Sequence, residues 1–139
     1  MTHIFIDTVS LCALNNPRDQ YHSKSTLILN ELKGSKYQFI TSDYIVNEAT
    51  TLLLTTIKGG YRYATSLLNS LFEKNSFINI EWVGKERFFQ AAAVFSKYNK
   101  DKQWSFTDCT SFVIIKELKI PKVFTFDEHF KQMGFTILR

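Results

Sequence analysis

Four carboxylates carry the chemistry this 139-residue chain can offer: Asp7, Glu48, Asp108 and Asp127. Asp7 follows the apolar run His3-Ile-Phe-Ile6, and Asp127 follows Lys122-Val-Phe-Thr-Phe126. Where both runs are strands of an open α/β sheet, both acids sit at carboxyl ends, where such sheets bind ligands. Each position also suits a helix N-cap, which Asp favours, and Thr125-Phe-Asp-Glu128 has the spacing of a capping box. Glu48 lies three residues after Ile45 and four before Leu52, which in a helix shares their inward face. A buried, unpaired carboxylate there needs a cation, a partner or a raised pKa; a long side chain at the edge of the stripe reaches water instead. Asp108 lies four residues before Phe112 and seven before Ile115, again on an inward stripe, and Ser105-x-x-Asp108 fits a capping box.

Carboxylates brought together repel unless a divalent cation lies between them. Oxygen ligation without Cys or His nearby fits Mg²⁺ or Mn²⁺ rather than zinc. Such sites act on phosphates, where the cation polarises a phosphoryl oxygen and acidifies a bound water. Cys12 and Cys109 form no C-x-x-C pair and read as reduced, buried residues of a cytoplasmic protein.

The elements that must position these acids alternate strand and helix. Strands are expected at His3–Ile6, Tyr37–Ile40, Phe77–Val83, Lys122–Phe126 and Phe135–Leu138. A helical stretch after Asp7 breaks near Asn15-Asn16-Pro17 and resumes from about Arg18 to Leu32, with Gly34 as its cap. Further helices are expected over about Asp43–Ile57 with Ser42 as N-cap, then Tyr61–Phe72, Lys85–Tyr98 and Asp108–Leu118, with a short turn at Glu128–Lys131. Strands alternating with helices imply an α/β fold with a central parallel sheet of about five strands covered on both faces. No repeat or linker divides the chain, so one domain over residues 1–139 is expected.

Hydrophobic residues make up 45% and aromatics 15%, a composition that excludes general disorder and suggests a densely packed core. No apolar run approaches the roughly 20 residues of a membrane span, and the first residues lack the features of a signal peptide. The net charge of +4 is unevenly placed: residues 1–57 hold four Lys/Arg against five Asp/Glu, residues 58–139 thirteen against eight. A basic surface beside an acidic pocket suits a polyanion, with Lys85, Arg87, Lys97, Lys100, Lys102 and Lys116 as candidate phosphate contacts. On charge alone, a solvated lysine-rich surface explains the same residues.

Four strings together resemble a known family: Ile6-Asp7-Thr8, Thr41-Ser-Asp-Tyr-Ile-Val-Asn-Glu48, Ser105-Phe-Thr-Asp-Cys-Thr-Ser-Phe-Val113 and Val123-Phe-Thr-Phe-Asp-Glu-His-Phe130. In order and spacing they resemble PIN-domain ribonucleases, and the last two resemble the VapC-type toxins of prokaryotic toxin–antitoxin pairs. The resemblance covers essentially the whole chain. It implies a PIN-like nuclease domain and an endoribonuclease that cuts single-stranded RNA with Mg²⁺ or Mn²⁺, leaving 5′-phosphate and 3′-hydroxyl ends. By the same resemblance Asp7 and Asp108 are the principal metal ligands, Glu48 completes the site directly or through water, and Asp127 is the more peripheral acid. Thr8 and Thr125 hold ligands or water in place, and His22 is structural. An antitoxin partner and a homodimer follow from it too; no membrane association and a cytoplasmic location are expected from the apolar runs and the cysteines.

Other readings remain beside this one. A housekeeping PIN nuclease would share the site without an antitoxin, and a silent RNA- or partner-binding module would leave RNA intact. A phosphotransfer domain using Asp7 as nucleophile is disfavoured, since haloacid-dehalogenase-like enzymes need a second Asp where this chain has Val9.

Overall fold

The computed structural model describes residues 1–139. Short apolar segments form the five strands: β1 (Thr2–Ile6), β2 (Tyr37–Ser42), β3 (Ile78–Glu81), β4 (Lys122–Phe124) and β5 (Ile137–Leu138). All pair in parallel, in the order β3-β2-β1-β4-β5. Parallel strands are buried on both faces, and the C-terminal part of β1 shows it: Ile4, Phe5 and Ile6 are all at most 1% exposed. The chain builds outward from β1 through β2 to β3, then returns to place β4 on the other side of β1. The reversal falls between β1 and β4, the topological switch point where α/β sheets bind ligands.

Seven helices cover the sheet: α1 (Thr8–Asn15), α2 (His22–Leu32), α3 (Asp43–Thr56), α4 (Gly60–Leu71), α5 (Gly84–Tyr98), α6 (Phe106–Glu117) and α7 (His129–Gln132). Their starts follow local chemistry. Ser42 Oγ accepts from the Ile45 N–H and opens α3 as expected. The α3–α4 turn uses Gly59 at φ 75°, and a Cβ on Gly60 would lie 1.9 Å from the Leu53 carbonyl oxygen, so only glycine lets these helices close on each other.

Several boundaries differ from expectation, each with a local cause. The second helix begins at His22 rather than Arg18, because Asn16 Oδ1 and Asp19 Oδ1 accept from the Arg18 and Tyr21 N–H groups and hold that stretch in turns. Helix α6 begins two residues earlier than expected, at Phe106, because Ser105 is its N-cap. His22 serves the packing of helices: its Nδ1 lies 2.7 Å from the Ala13 carbonyl of α1.

Aromatic content does not all go to the core. Phe5, Phe112, Phe124 and Phe130 are fully buried, whereas Phe72, Phe77, Phe88, Phe89 and Phe95 are 42–76% exposed. Arg87, a candidate RNA contact by sequence, is spent within the fold. It bonds Glu81 at 3.0 Å, Glu117, and the Trp82 carbonyl at 2.9 Å, tying β3, α5 and α6 together. Lys102 bonds its neighbour Asp101 at the surface. No helix is long and apolar enough to cross a membrane.

Candidate active site

The acids meet at the switch point. Asp7, Glu48, Asp108 and Asp127 all line one small cavity of about 90 Å³, together with Thr8, Val9, Ile45, Leu52, Thr107, Ser111 and Phe130. Each acid arrives by a different route, and most arrive in a capping role.

Asp7 ends β1 and caps α1, its Oδ1 accepting from the Ser10 N–H at 3.2 Å. Its Oδ2 accepts from the Thr125 hydroxyl at 2.6 Å. Thr125 is fully buried, just beyond β4, and its Oγ1 also accepts from the Asp127 N–H at 2.9 Å. One hydroxyl therefore fixes two of the acids relative to each other. Thr8, the other expected supporting residue, is buried at the start of α1 against the same cavity.

Asp108 forms the capping box expected with Ser105: its carboxylate accepts from the Ser105 N–H, and its own N–H donates to the Ser105 hydroxyl oxygen. Phe112 and Ile115 lie inward on its helix, each 1% exposed. The capping box read from Thr125 and Glu128 does not form. Asp127 takes that duty instead, its Oδ1 accepting from the His129 N–H at 2.9 Å, because the short side chain reaches two residues ahead more easily than Glu128 reaches back.

Glu48 is half-buried on α3. Its companions differ from the expected uniform inward face, for Ile45 is 1% exposed and Leu52 40%. Glu48 thus stands at the margin of the apolar stripe, half-buried, where it lines the cavity with the other acids.

Two residues near the acids had no role assigned from sequence. His129 Nδ1 lies 2.8 Å from Asp108 Oδ2 and 3.4 Å from Asp127 Oδ2. Asp108, Asp127 and His129 form the tightest group of potential ligands, with ligand atoms all within 4.8 Å of one another. Asp127 is therefore closer to Asp108 than the expected peripheral role suggests. Ser111, 1% exposed, lines the cavity and its hydroxyl has no partner in the protein. Its signal in the sequence is its position one helical turn after Asp108; that of His129 is its place two residues after Asp127.

The electrostatics are those of acids crowded without enough donors. Burial pushes the Asp7 carboxyl up to about 7; the Thr125 and Ser10 hydrogen bonds lower it against that, and the Asp127 and Asp108 charges raise it further. Burial raises Asp108 too, partly offset by its bonds to His129 and Ser105. A divalent cation among these oxygens would relieve both, and a carboxylate-dominated donor set suits a hard ion. The residues present thus fit a metal. They do not fit a phosphoaspartyl enzyme, because Asp7 is 4% exposed and both of its oxygens are engaged.

A parallel sheet in this order, with four acids at its switch point, defines the class. The PIN-domain model matches residues 4–136, and the chain belongs to the PIN-domain family. Over 137 residues it is 28% identical to the 23S rRNA-specific endonuclease VapC20 of Mycobacterium tuberculosis, covering 98% of each chain. The crystal structure of VapC20, described as a sarcin-ricin loop cleaving toxin, superposes with a TM-score of 0.85 at 25% identity, covering 96% of both chains. FitAcB from Neisseria gonorrhoeae shares the fold, with a TM-score of 0.65 at 15% identity over 98% of this chain and 96% of that one.

Proposed function

We propose that this protein is a metal-dependent endoribonuclease, one nuclease domain over residues 1–139, acting as the toxin of a toxin–antitoxin pair. The observation that carries the reading is the convergence of Asp7, Glu48, Asp108 and Asp127 on one cavity in a PIN-family chain. Asp7, Asp108 and Asp127 would hold Mg²⁺ or Mn²⁺, with Glu48 as the fourth acid. When bound, that ion polarises the scissile phosphate and acidifies an attacking water.

The chain's own residues do the rest by placement. The Thr125 hydroxyl keeps one Asp7 oxygen aimed, and Ser105 keeps Asp108 at the head of α6. His129 bridges Asp108 and Asp127 and holds their carboxylates apart from random rotamers. No side chain here is poised as a covalent nucleophile, so rate enhancement comes from positioning and charge stabilisation.

The substrate is RNA, and 23S rRNA is the first to try, since VapC20 is named for it. Exposed apolar side chains on α3, α4 and α5, among them Leu54, Tyr61, Phe88 and Phe89, support an antitoxin partner and a second copy of the chain as what covers them. A cytoplasmic location is part of the same reading.

The test is incubation of wild type and Asp108→Asn with cellular RNA and ribosomes in Mn²⁺, Mg²⁺ or EDTA, followed by sequencing of new ends. Discrete metal-dependent cuts by wild type alone support the nuclease. Bound but intact RNA under every condition assigns the chain to a binding module.

A further inference from the structure

A second cavity, of about 240 Å³, lies beside the acidic one. It is lined by Val9, Cys12, Asn16, Asp19, Leu52, Leu53, Thr56 and Ile57, and it shares Val9 and Leu52 with the acid cavity. Whatever enters one therefore lies next to the other. Its size falls below the roughly 300–1,000 Å³ of pockets for drug-sized ligands, leaving room for one flat ring system.

Its chemistry is that of a base pocket. Val9, Cys12, Leu52, Leu53 and Ile57 provide apolar walls, and three polar side chains, Asn16, Asp19 and Thr56, sit among them. Asn16 is 7% exposed; its Oδ1 is taken by the Arg18 N–H, and its Nδ2 donates to no group of the protein. Asp19 spends Oδ1 on the Tyr21 N–H and has its second oxygen to offer. The Asn16 amide nitrogen is not sealed from solvent, so an acceptor entering the cavity replaces water on it. The edge of every RNA base presents both a donor and an acceptor, and proteins read unpaired bases by such contacts against apolar or aromatic faces. No Lys or Arg lines the cavity, so it is not built for a phosphate.

The geometry points to a nucleobase subsite: a base flanking the scissile phosphate, turned out of its stack, inserts between α1 and the C-terminal end of α3 and bonds Asn16 and Asp19. This rests on the nuclease reading and adds how the site selects its cut. Asn16 and Thr56 are specificity residues that line this cavity and not the one the acids share. Loss of this contact changes which sequence is cut while the cutting chemistry remains.

The experiment uses an RNA oligonucleotide spanning a wild-type cut, with an abasic residue placed in turn at each position around the cut. kcat/KM is measured in Mn²⁺ for wild type, Asn16→Ala and Thr56→Trp. Thr56 is exposed at the end of α3, so the indole fills the cavity without disturbing the core. For wild type, the abasic residue at one flanking position lowers kcat/KM about tenfold. In both variants that same substitution has an effect within about twofold, the other positions behave as in wild type, and sequenced ends show relaxed base preference at that position. An unchanged abasic profile and base preference in folded variants overturns the subsite and leaves the nuclease standing. Loss of a copurifying protein partner by the variants, with base preference intact, assigns the cavity to that partner and also overturns it. Absence of cutting by wild type removes the nuclease reading and the subsite together.

Discussion

The hydroxyl of Thr125 donates to Asp7 at 2.6 Å across 118 residues of sequence, joining the ends of β1 and β4. The same oxygen accepts from the Asp127 N–H, so one buried atom sets the spacing of two acids. Thr125→Val keeps the shape and removes both bonds. It is expected to cost about 1–3 kcal/mol in urea unfolding and to lower kcat with little change in KM. Thr125→Ser should restore most of both. Wild-type activity in Thr125→Val would show that the hydroxyl does not position the acids.

The buried Asp7 gives stability a definite pH dependence. In the fold it keeps its proton up to about pH 7, whereas the unfolded chain releases it near 3.8. Between those values the folded state binds more protons than the unfolded one, so metal-free stability falls as pH rises through that window. The full displacement corresponds to about 4 kcal/mol. Asp7→Asn, which cannot ionise, should flatten the profile and raise Tm above wild type at pH 8 in EDTA. A Tm–pH profile in EDTA that is unchanged by the substitution would contradict the assignment.

Metal binding should move stability in the opposite sense. Adding Mn²⁺ at pH 8 should raise the Tm of wild type, because the ion binds only the folded arrangement of acids. Asp108→Asn keeps one oxygen, in place of the single Oδ2 that meets both Ser105 and His129, but removes a charge from the closest ligand group. It should fold normally, lose the Mn²⁺-induced shift and lose RNA cleavage. Differential scanning fluorimetry and end sequencing on the same samples check both.

The α3–α4 turn offers a test of packing away from the acids. A Cβ at Gly60 would meet the Leu53 carbonyl oxygen at 1.9 Å, and that oxygen belongs to backbone that cannot step aside cheaply. Gly60→Ala should therefore destabilise by about 3 kcal/mol or more in urea titration. Gly34→Ala meets nothing within 4 Å and strains only its positive φ of 88°. It should cost about 1 kcal/mol.

Much of this was legible in the residues themselves. The apolar runs and N-cap signals at Ser42 and Ser105 marked elements to within a few residues, because period and capping are local properties. The four motif strings implied a PIN-like fold, and the family match over residues 4–136 bears that out. The N-cap reading of Asp7 holds, with one oxygen serving α1 and the other accepting from Thr125.

What the chain's local chemistry could not decide was which distant groups meet. His129 between Asp108 and Asp127, Ser111 without a partner beside them, and Arg87 consumed by Glu81 and Glu117 all depend on how strands are ordered and helices laid across them. The cavity between α1 and α3 is likewise a product of packing, built from residues far apart in sequence. Sequence by itself determined the elements, the caps and the candidate acids, because those follow from neighbours within a turn or two. Tertiary structure alone decided the geometry of the site, because strand order places β4 beside β1 and so brings Thr125 to Asp7.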